Sequence, residues 1–380
     1  MQALFQSYLN TLPSSMNKYL VHAWERYQAS CAQQHCQIPT DPEFLRALWL
    51  VISTSDFVTG ILCQEPSLPL EFISNANRNF NQQDYFYEWQ QFEPNVKDEA
   101  SLMQMLRRFS HRAMARIIWR ELLQLCTFEA HLQELSDLAD VCIKIASTFI
   151  YNEAIKVWGT PCNEKDQPQP FVVIGVGKLG ACELNLSSDI DLIFAYPEEG
   201  VTVGNARNIS NHQFFTKVGQ QLIKVLSEVT EEGFVYRVDM RLRPHGQSGN
   251  LVLNFNAIEN YYQYHGRDWE RYALIKARVI TGEVAAQKLY SLLQPFVYRR
   301  YLDYGAFESL REMRDLVLAQ VKRKRIKKDI KLGPGGIRQI EFLAQAFQLI
   351  RGGQHRQFQH RQLLVILFRL AQAELLDIKE

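Results

Sequence analysis

Over residues 1–150 the apolar positions recur at three- and four-residue spacings, the pattern of helices with one buried face. The stretches FLRALWLVI, EASLMQMLRRFSHRAMARIIWRELLQL and HLQELSDLADVCIKIASTFIYNEAIKVW carry it most clearly. In the second, Leu102, Met105, Leu106, Phe109 and Met114 fall near one stripe. Pro66, Pro69 and Pro94 punctuate the connections. The longest apolar run, 44–62, is interrupted by Arg46 and Asp56 and reads as a buried helix, not a membrane span. A helical bundle is expected here, with no evident chemistry.

The period changes after Pro161 and the polar stretch CNEKDQPQP. FVVIGV and DIDLIFAYP are short β-branched or apolar runs bounded by turn residues, which predicts buried strands. Residues 211–230 return to helical spacing, with Phe214, Phe215, Val218, Leu222, Val225, Leu226 and Val229 on the expected buried face. YRVDMRLRP then alternates, and LVLNF follows a glycine-rich turn. From about Asn256 onward the pattern reads as helical again, clearest in RYLDYGAFESLREMRDLVLAQVKRKR and IRQIEFLAQAFQLIRGG. The expected fold class is α+β and mostly helical. It comprises a helical region at 1–150, an α/β domain with a mixed sheet at 151–300, and at 301–380 the start of a helical bundle that reads as cut short at Glu380.

Two spellings compete within 171–197. Gly175-x-Gly177-x-x-Gly180 after a strand is the dinucleotide-binding pattern. That fold needs about three helical turns before its next strand, and only ACELNLSS is available, with Asn185, Ser187 and Ser188 poor helix formers. Asp189 and Asp191, two apart on a strand, instead project from one face. Their mutual repulsion and desolvation make sense if divalent cations lie between them. In YRVDMRLRP a third acid, Asp239, shares a face with Arg237, Arg241 and Arg243, a combination suited to metal and phosphate together. The turn at Gly177 and Lys178, with Ser187 and Ser188, then serves to approach phosphate oxygens. A glycine turn, a D-x-D strand and a lone acid on a neighbouring strand form the layout of a polymerase-β-type nucleotidyltransferase.

Composition narrows the setting. The formal net charge of +1 gives no global pull toward nucleic acid or membranes. The seven cysteines are scattered; Cys31 and Cys36 beside His35 lack a second ligand pair for zinc. That usage suits a reducing cytoplasm, and the N-terminal residues show no signal peptide. The basic run 321–331 reads as a solvated helix end. GGIRQIEF, 335–342, suits either a cap over the site from the following region or, through Arg338 and Glu341 three apart on one helix face, an internal ion pair bracing the bundle. Trp269 and Tyr272 suit packing, and His245 a loop position, while Lys276 and Arg278 are candidates to face the cleft.

The stretch GVGKLGACELNLSSDIDLIFAYPEEG resembles the signature of the glutamine synthetase adenylyltransferase family. The resemblance continues in GFVYRVDMRLRPHGQSGNLV, YYQYHGRDWERYALIKARVI, FVYRRYLDYG and IKLGPGGIRQIEFLAQAFQLIRGG, so it spans about 171–353. The family chain carries two nucleotidyltransferase domains, an N-terminal copy that removes AMP from glutamine synthetase and a C-terminal copy that attaches it. The starting methionine, helical leader and single copy fit the N-terminal, adenylyl-removing fragment. The resemblance implies phosphorolysis: inorganic phosphate attacks the tyrosyl-AMP of adenylylated glutamine synthetase and releases ADP. It implies Mg²⁺ on Asp189, Asp191 and Asp239, phosphate held at Gly177, Lys178, Ser187 and Ser188, and Arg241 and Arg243 for the incoming phosphate. It also implies control by a PII-type protein through a longer chain, and no nucleic-acid or membrane partner. Gln247 and Gln339 stand where the family has acids, and Ala181 and Cys182 where it has Gly and Arg. Forward transfer from ATP and a non-catalytic nucleotide-binding module remain as alternatives.

Overall fold

The computed structural model describes residues 1–204, 207–300, 308, 311–312, 314–315, 329–331 and 333–376. Most of the predicted helix at 300–325 and of the basic run at 321–331 lies outside the described residues. The chain divides into two compact units, Met1–Leu138 and Ala139–Glu380. The expected border near residue 150 falls inside a helix.

The first unit contains α1 (Gln2–Leu9), α2 (Ser14–Gln33), α3 (Pro42–Thr54), α4 (Asp56–Gln64), α5 (Leu68–Ser74), α6 (Gln82–Trp89), α7 (Glu99–Leu122) and the start of α8 (Phe128–Trp158). The apolar run at 44–62 is two helices, not the single one expected. Ser55 leaves helical geometry, and its hydroxyl caps α4 by accepting from the Val58 N–H. No described helix is long and apolar enough to cross a membrane. One core gathers Trp24, Trp49 and Trp119 with Leu45, Leu48, Ile52 and Leu62. Beside it lies a buried ionic knot: Glu134 pairs with both Arg116 and Arg120, and all three side chains are at most 4% exposed. Arg120 Nε also donates to the Ala76 carbonyl at 2.8 Å and its Nη2 to Asn79 Oδ1, and Arg116 Nη2 donates to the Arg78 carbonyl at 2.5 Å.

The second unit is built around a five-stranded mixed sheet. Its elements after α8 are β1 (Thr160–Asn163), β2 (Val172–Val176), α9 (Gly177–Gly180), β3 (Ile190–Tyr196), β4 (Gly200–Val203), α10 (Asn211–Ser227), β5 (Val238–Asp239), β6 (Val252–Asn254), α11 (Phe255–Tyr264), α12 (Asp268–Ile275), β7 (Arg278–Thr281), α13 (Ala286–Val297), α14 (Ile337–Arg351) and α15 (Leu363–Gln372). The order β5-β3-β2-β7 places β2 antiparallel to both neighbours, while β3 runs parallel to β5 and, further along, to β6. β1 and β4 form a separate antiparallel pair.

Both faces of the central strands are covered, so β2 reads as continuous apolar sequence instead of alternating. Phe194 and Tyr196 turn toward α10, where Tyr196 stacks on Phe215 with centroids 4.8 Å apart and Gly219 leaves room for the Phe194 ring. Val172, Ile174, Val176, Ile193 and Ala195 share the core with Phe255, Tyr262, Leu289 and Phe296 of α11 and α13.

Four expectations change here. β7, read from sequence as part of a helical run, is a strand whose Val279, Ile280 and Thr281 carry the β-branched signal. The alternating stretch 236–244 contributes only Val238 and Asp239 to the sheet before turning. Val229, placed on the buried face of α10, is exposed because the helix ends at Ser227. Trp269, expected to pack, is 41% exposed, while Tyr272 is buried and stacks on Phe342 at 5.3 Å.

Candidate functional site

The first turn and ends of β2, β3 and β5 bring the predicted carboxylates together. Parallel pairing of β3 with β5 sets Asp191 directly opposite Asp239, and antiparallel pairing of β2 with β3 sets Val176 opposite Asp191. The glycine turn that follows Val176 therefore starts at the Asp191 side chain. Gly177 has φ +57°, and a Cβ there would lie 2.5 Å from Asp191 Oδ2. Only glycine allows both the left-handed backbone and that approach. Gly177→Ala is expected to lose about 1–2 kcal/mol of stability and to displace the Asp191 carboxylate, checked by thermal unfolding and by divalent-cation binding.

α9 has only four residues. The Rossmann helix has no place, as its short sequence allotment predicted, and the chain returns through a loop carrying Ser187 and Ser188 to β3. The Ser188 hydroxyl contacts Asn185 Oδ1, and the Ser187 carbonyl accepts from Arg237 Nη2 at 2.8 Å.

The three aspartates differ in environment. Asp191 is the most buried; burial first, then the charges of Asp239 and Asp189, push its carboxyl up to about 6. Asp239 is held below the ordinary carboxylate range by Arg241, whose Nε and Nη2 contact Oδ2 at 2.8 and 2.5 Å while its backbone N–H donates to Oδ1 at 2.8 Å. Asp189 lies just before β3 and accepts from Arg237 Nε at 2.5 Å. With two of the carboxylates turned onto guanidiniums, no group of three His, Cys, Asp or Glu among the described residues closes on a common point. The donor chemistry nonetheless fits a divalent cation: two carboxylates in direct cross-strand register, a third beside them, and charge on the most buried one that Arg241 and Lys331 offset only in part.

Other predicted residues are spread more widely. Arg243 folds back, donating to the carbonyls of Met240 (2.8 Å), Gln247 (3.2 Å) and Gly249 (3.3 Å), and so braces the loop after β5. Burial lowers the Lys178 ammonium below the usual range, with the charges of Lys331, Glu341, Lys276 and Glu183 as smaller influences. Arg237, read from sequence only as part of the basic face, belongs to the site through Asp189. Lys276 and Arg278 do reach the glycine turn. Glu341 pairs with Lys276.

The sequence pattern of the family described as glutamate-ammonia ligase adenylyltransferase matches residues 45–291. The chain belongs to that family. Membership of the glutamate-ammonia ligase adenylyltransferases agrees with the nucleotidyltransferase layout of the sheet and its aspartates. A second pattern, GlnD PII-uridylyltransferase, matches residues 311–380. Among curated relatives, a bifunctional glutamine synthetase adenylyltransferase/adenylyl-removing enzyme of Nitrosococcus oceani is 46% identical over 374 residues. That match covers 97% of this chain and 39% of the relative's length.

Proposed function

We propose that the chain removes AMP from adenylylated glutamine synthetase by metal-dependent phosphorolysis. The observation that carries this reading is the cross-strand register of Asp191 and Asp239, with the Gly177 turn against Asp191. The direction, removal and not attachment, follows the resemblance to the family's AMP-removing domain. The match to a bifunctional relative supports glutamine synthetase as the protein substrate, and the match at 311–380 supports a place in PII-linked control. We place the reaction in the cytoplasm, where that substrate and a reduced cysteine complement belong.

In the step itself an oxygen of inorganic phosphate attacks the α-phosphorus of the tyrosyl-AMP. The bond from phosphorus to the tyrosyl oxygen breaks, the tyrosine recovers a proton from solvent, and the nucleotide leaves as ADP. Asp189, Asp191 and Asp239 are the residues to hold Mg²⁺, which when bound supplies charge neutralisation at the phosphoryl oxygens. The Gly177 turn keeps side-chain bulk away from the phosphates, and Ser187 and Ser188 offer polar groups at the entry to β3. Arg241 and Arg237 carry exposed guanidiniums already at the carboxylates, suited to bidentate grip on phosphate oxygens. Phosphate dianion is a nucleophile at neutral pH, so no general base is required.

The test is to incubate adenylylated glutamine synthetase with the chain, phosphate and Mg²⁺. ADP should form, and omission of phosphate or addition of EDTA should stop it. Transfer of label from ATP to unmodified glutamine synthetase, without phosphate-dependent release, would establish the forward transferase instead. Nucleotide binding without turnover in either direction would establish a docking module.

A further inference from the structure

Lys276, at the C-terminal end of α12, is 4% exposed, which is unusual for a lysine. Its ammonium lies 3.3 Å from Glu183 Oε2 and also contacts Glu341 Oε1 of α14. The second oxygen of Glu183, Oε1, accepts the backbone N–H of Leu363, the first residue of α15, at 2.5 Å. Glu183 in turn closes the glycine turn, its N–H donating to the Lys178 carbonyl at 2.8 Å. One carboxylate thus joins the turn, the end of α12 and the start of α15, and one ammonium extends the joint to α14.

The backbone is gripped at the same place. A Cβ on Gly180 would come within 2.0 Å of the Lys276 carbonyl. Arg278 Nη2 donates to the Leu179 carbonyl at 2.9 Å while its guanidinium pairs with Asp140. Arg361 Nε donates to the Ala277 carbonyl at 2.8 Å. The segment 276–278 is therefore fixed to the glycine turn on one side and to the chain entering α15 on the other.

A buried ion pair adds little net stability over an apolar replacement, because desolvation offsets the attraction. What it fixes is relative placement, and here the object placed is the turn whose Gly177 lies against Asp191. We infer that Lys276 is a positioning residue: through Glu183 and Glu341 it ties the glycine turn to α14 and α15, making residues 337–372 a working part of the site. Displacing those helices releases the turn, and with it the approach of Gly177 to Asp191. The kinetic side of this inference rests on the proposed phosphorolysis; the placement of the turn does not.

The experiment uses the 380-residue chain with Lys276→Met, Lys276→Arg and Glu341→Gln. Amide hydrogen exchange over 177–183 should quicken by about tenfold or more in Lys276→Met, with residues 44–62 unchanged and the far-ultraviolet dichroism intact. Phosphate-dependent ADP release should lose about tenfold to a hundredfold in kcat, with a smaller change in KM for phosphate, and Lys276→Arg should restore part of it. If Lys276→Met does not fold, Glu341→Gln supplies the same exchange readout. Unchanged exchange over 177–183 in the folded variants overturns the inference, as does a loss of thermal stability with kcat intact. If the parent chain releases no ADP, the proposed function fails while the exchange measurement still decides the role of Lys276.

Discussion

Replacing Asp191 by Asn is expected to abolish phosphate-dependent ADP release and, in EDTA at neutral pH, to make the chain more stable. The two effects have one origin. Burial and two neighbouring carboxylates push the Asp191 carboxyl up to about 6, so the folded chain binds that proton more tightly than the unfolded chain, where a carboxyl titrates near ~3.9. Stability from this group is greatest below the unfolded value and is lost as pH rises through about 6. Asn has no charge to desolvate, so the variant lacks that decline. Parent and variant should match near the unfolded value and separate as pH rises, by on the order of 2 kcal/mol at neutrality. Activity should fall by about a thousandfold. Thermal unfolding from acid to neutral pH, beside the release assay, checks both. Loss of activity together with loss of stability would mean that Asp191 is a structural residue.

The second large effect is expected far from that chemistry. Glu134→Ala leaves the guanidiniums of Arg116 and Arg120 buried, at 4% and 1% exposure, without their shared counterion. Breaking such a cluster from one side costs about 3–5 kcal/mol. The loss extends further, since Tyr85 Oη donates to the same carboxylate at 3.1 Å and the Phe80 N–H approaches it at 3.4 Å. Urea denaturation should show the unfolding free energy of the Met1–Leu138 unit falling by that amount. Hydrogen exchange should localise the weakening to residues 75–122. A change below about 1 kcal/mol, the worth of a surface pair, would show that water reaches the knot.

Periodicity carried much of this architecture and missed particular parts for physical reasons. β2 and β3 were legible because buried strands between covered faces are short, apolar and bounded by turns. The two aspartates were legible because a carboxylate repeated every second residue in such a strand has no structural purpose. β7 was missed because its four residues follow α12 almost at once and carry a helix-like neighbourhood. The break at Ser55 was missed because a capping serine within an apolar run does not interrupt hydrophobicity. Arg243 has the right chemical type for phosphate, but its orientation is decided by loop carbonyls that periodicity does not reveal. The Lys276 joint needed tertiary structure altogether, since Glu183, Lys276 and Glu341 are separated by long stretches of chain.

The parallel pairing of β3 with β5 bears on how the chain comes to possess its site. Antiparallel β2 and β3 are near in sequence and can zip early, carrying Gly177 and Asp191 together. Asp239 reaches Asp191 only after the chain has travelled through α10 and returned, and the two-residue strand β5 offers few ladder bonds to offset that closure. The carboxylate pair is thus expected to form late in refolding, after the hairpin and helix that flank it. In a refolding time course, burial of the aromatic residues on α10 should precede the appearance of divalent-cation binding. A nascent chain would hold a finished glycine turn before Asp239 came to lie opposite Asp191.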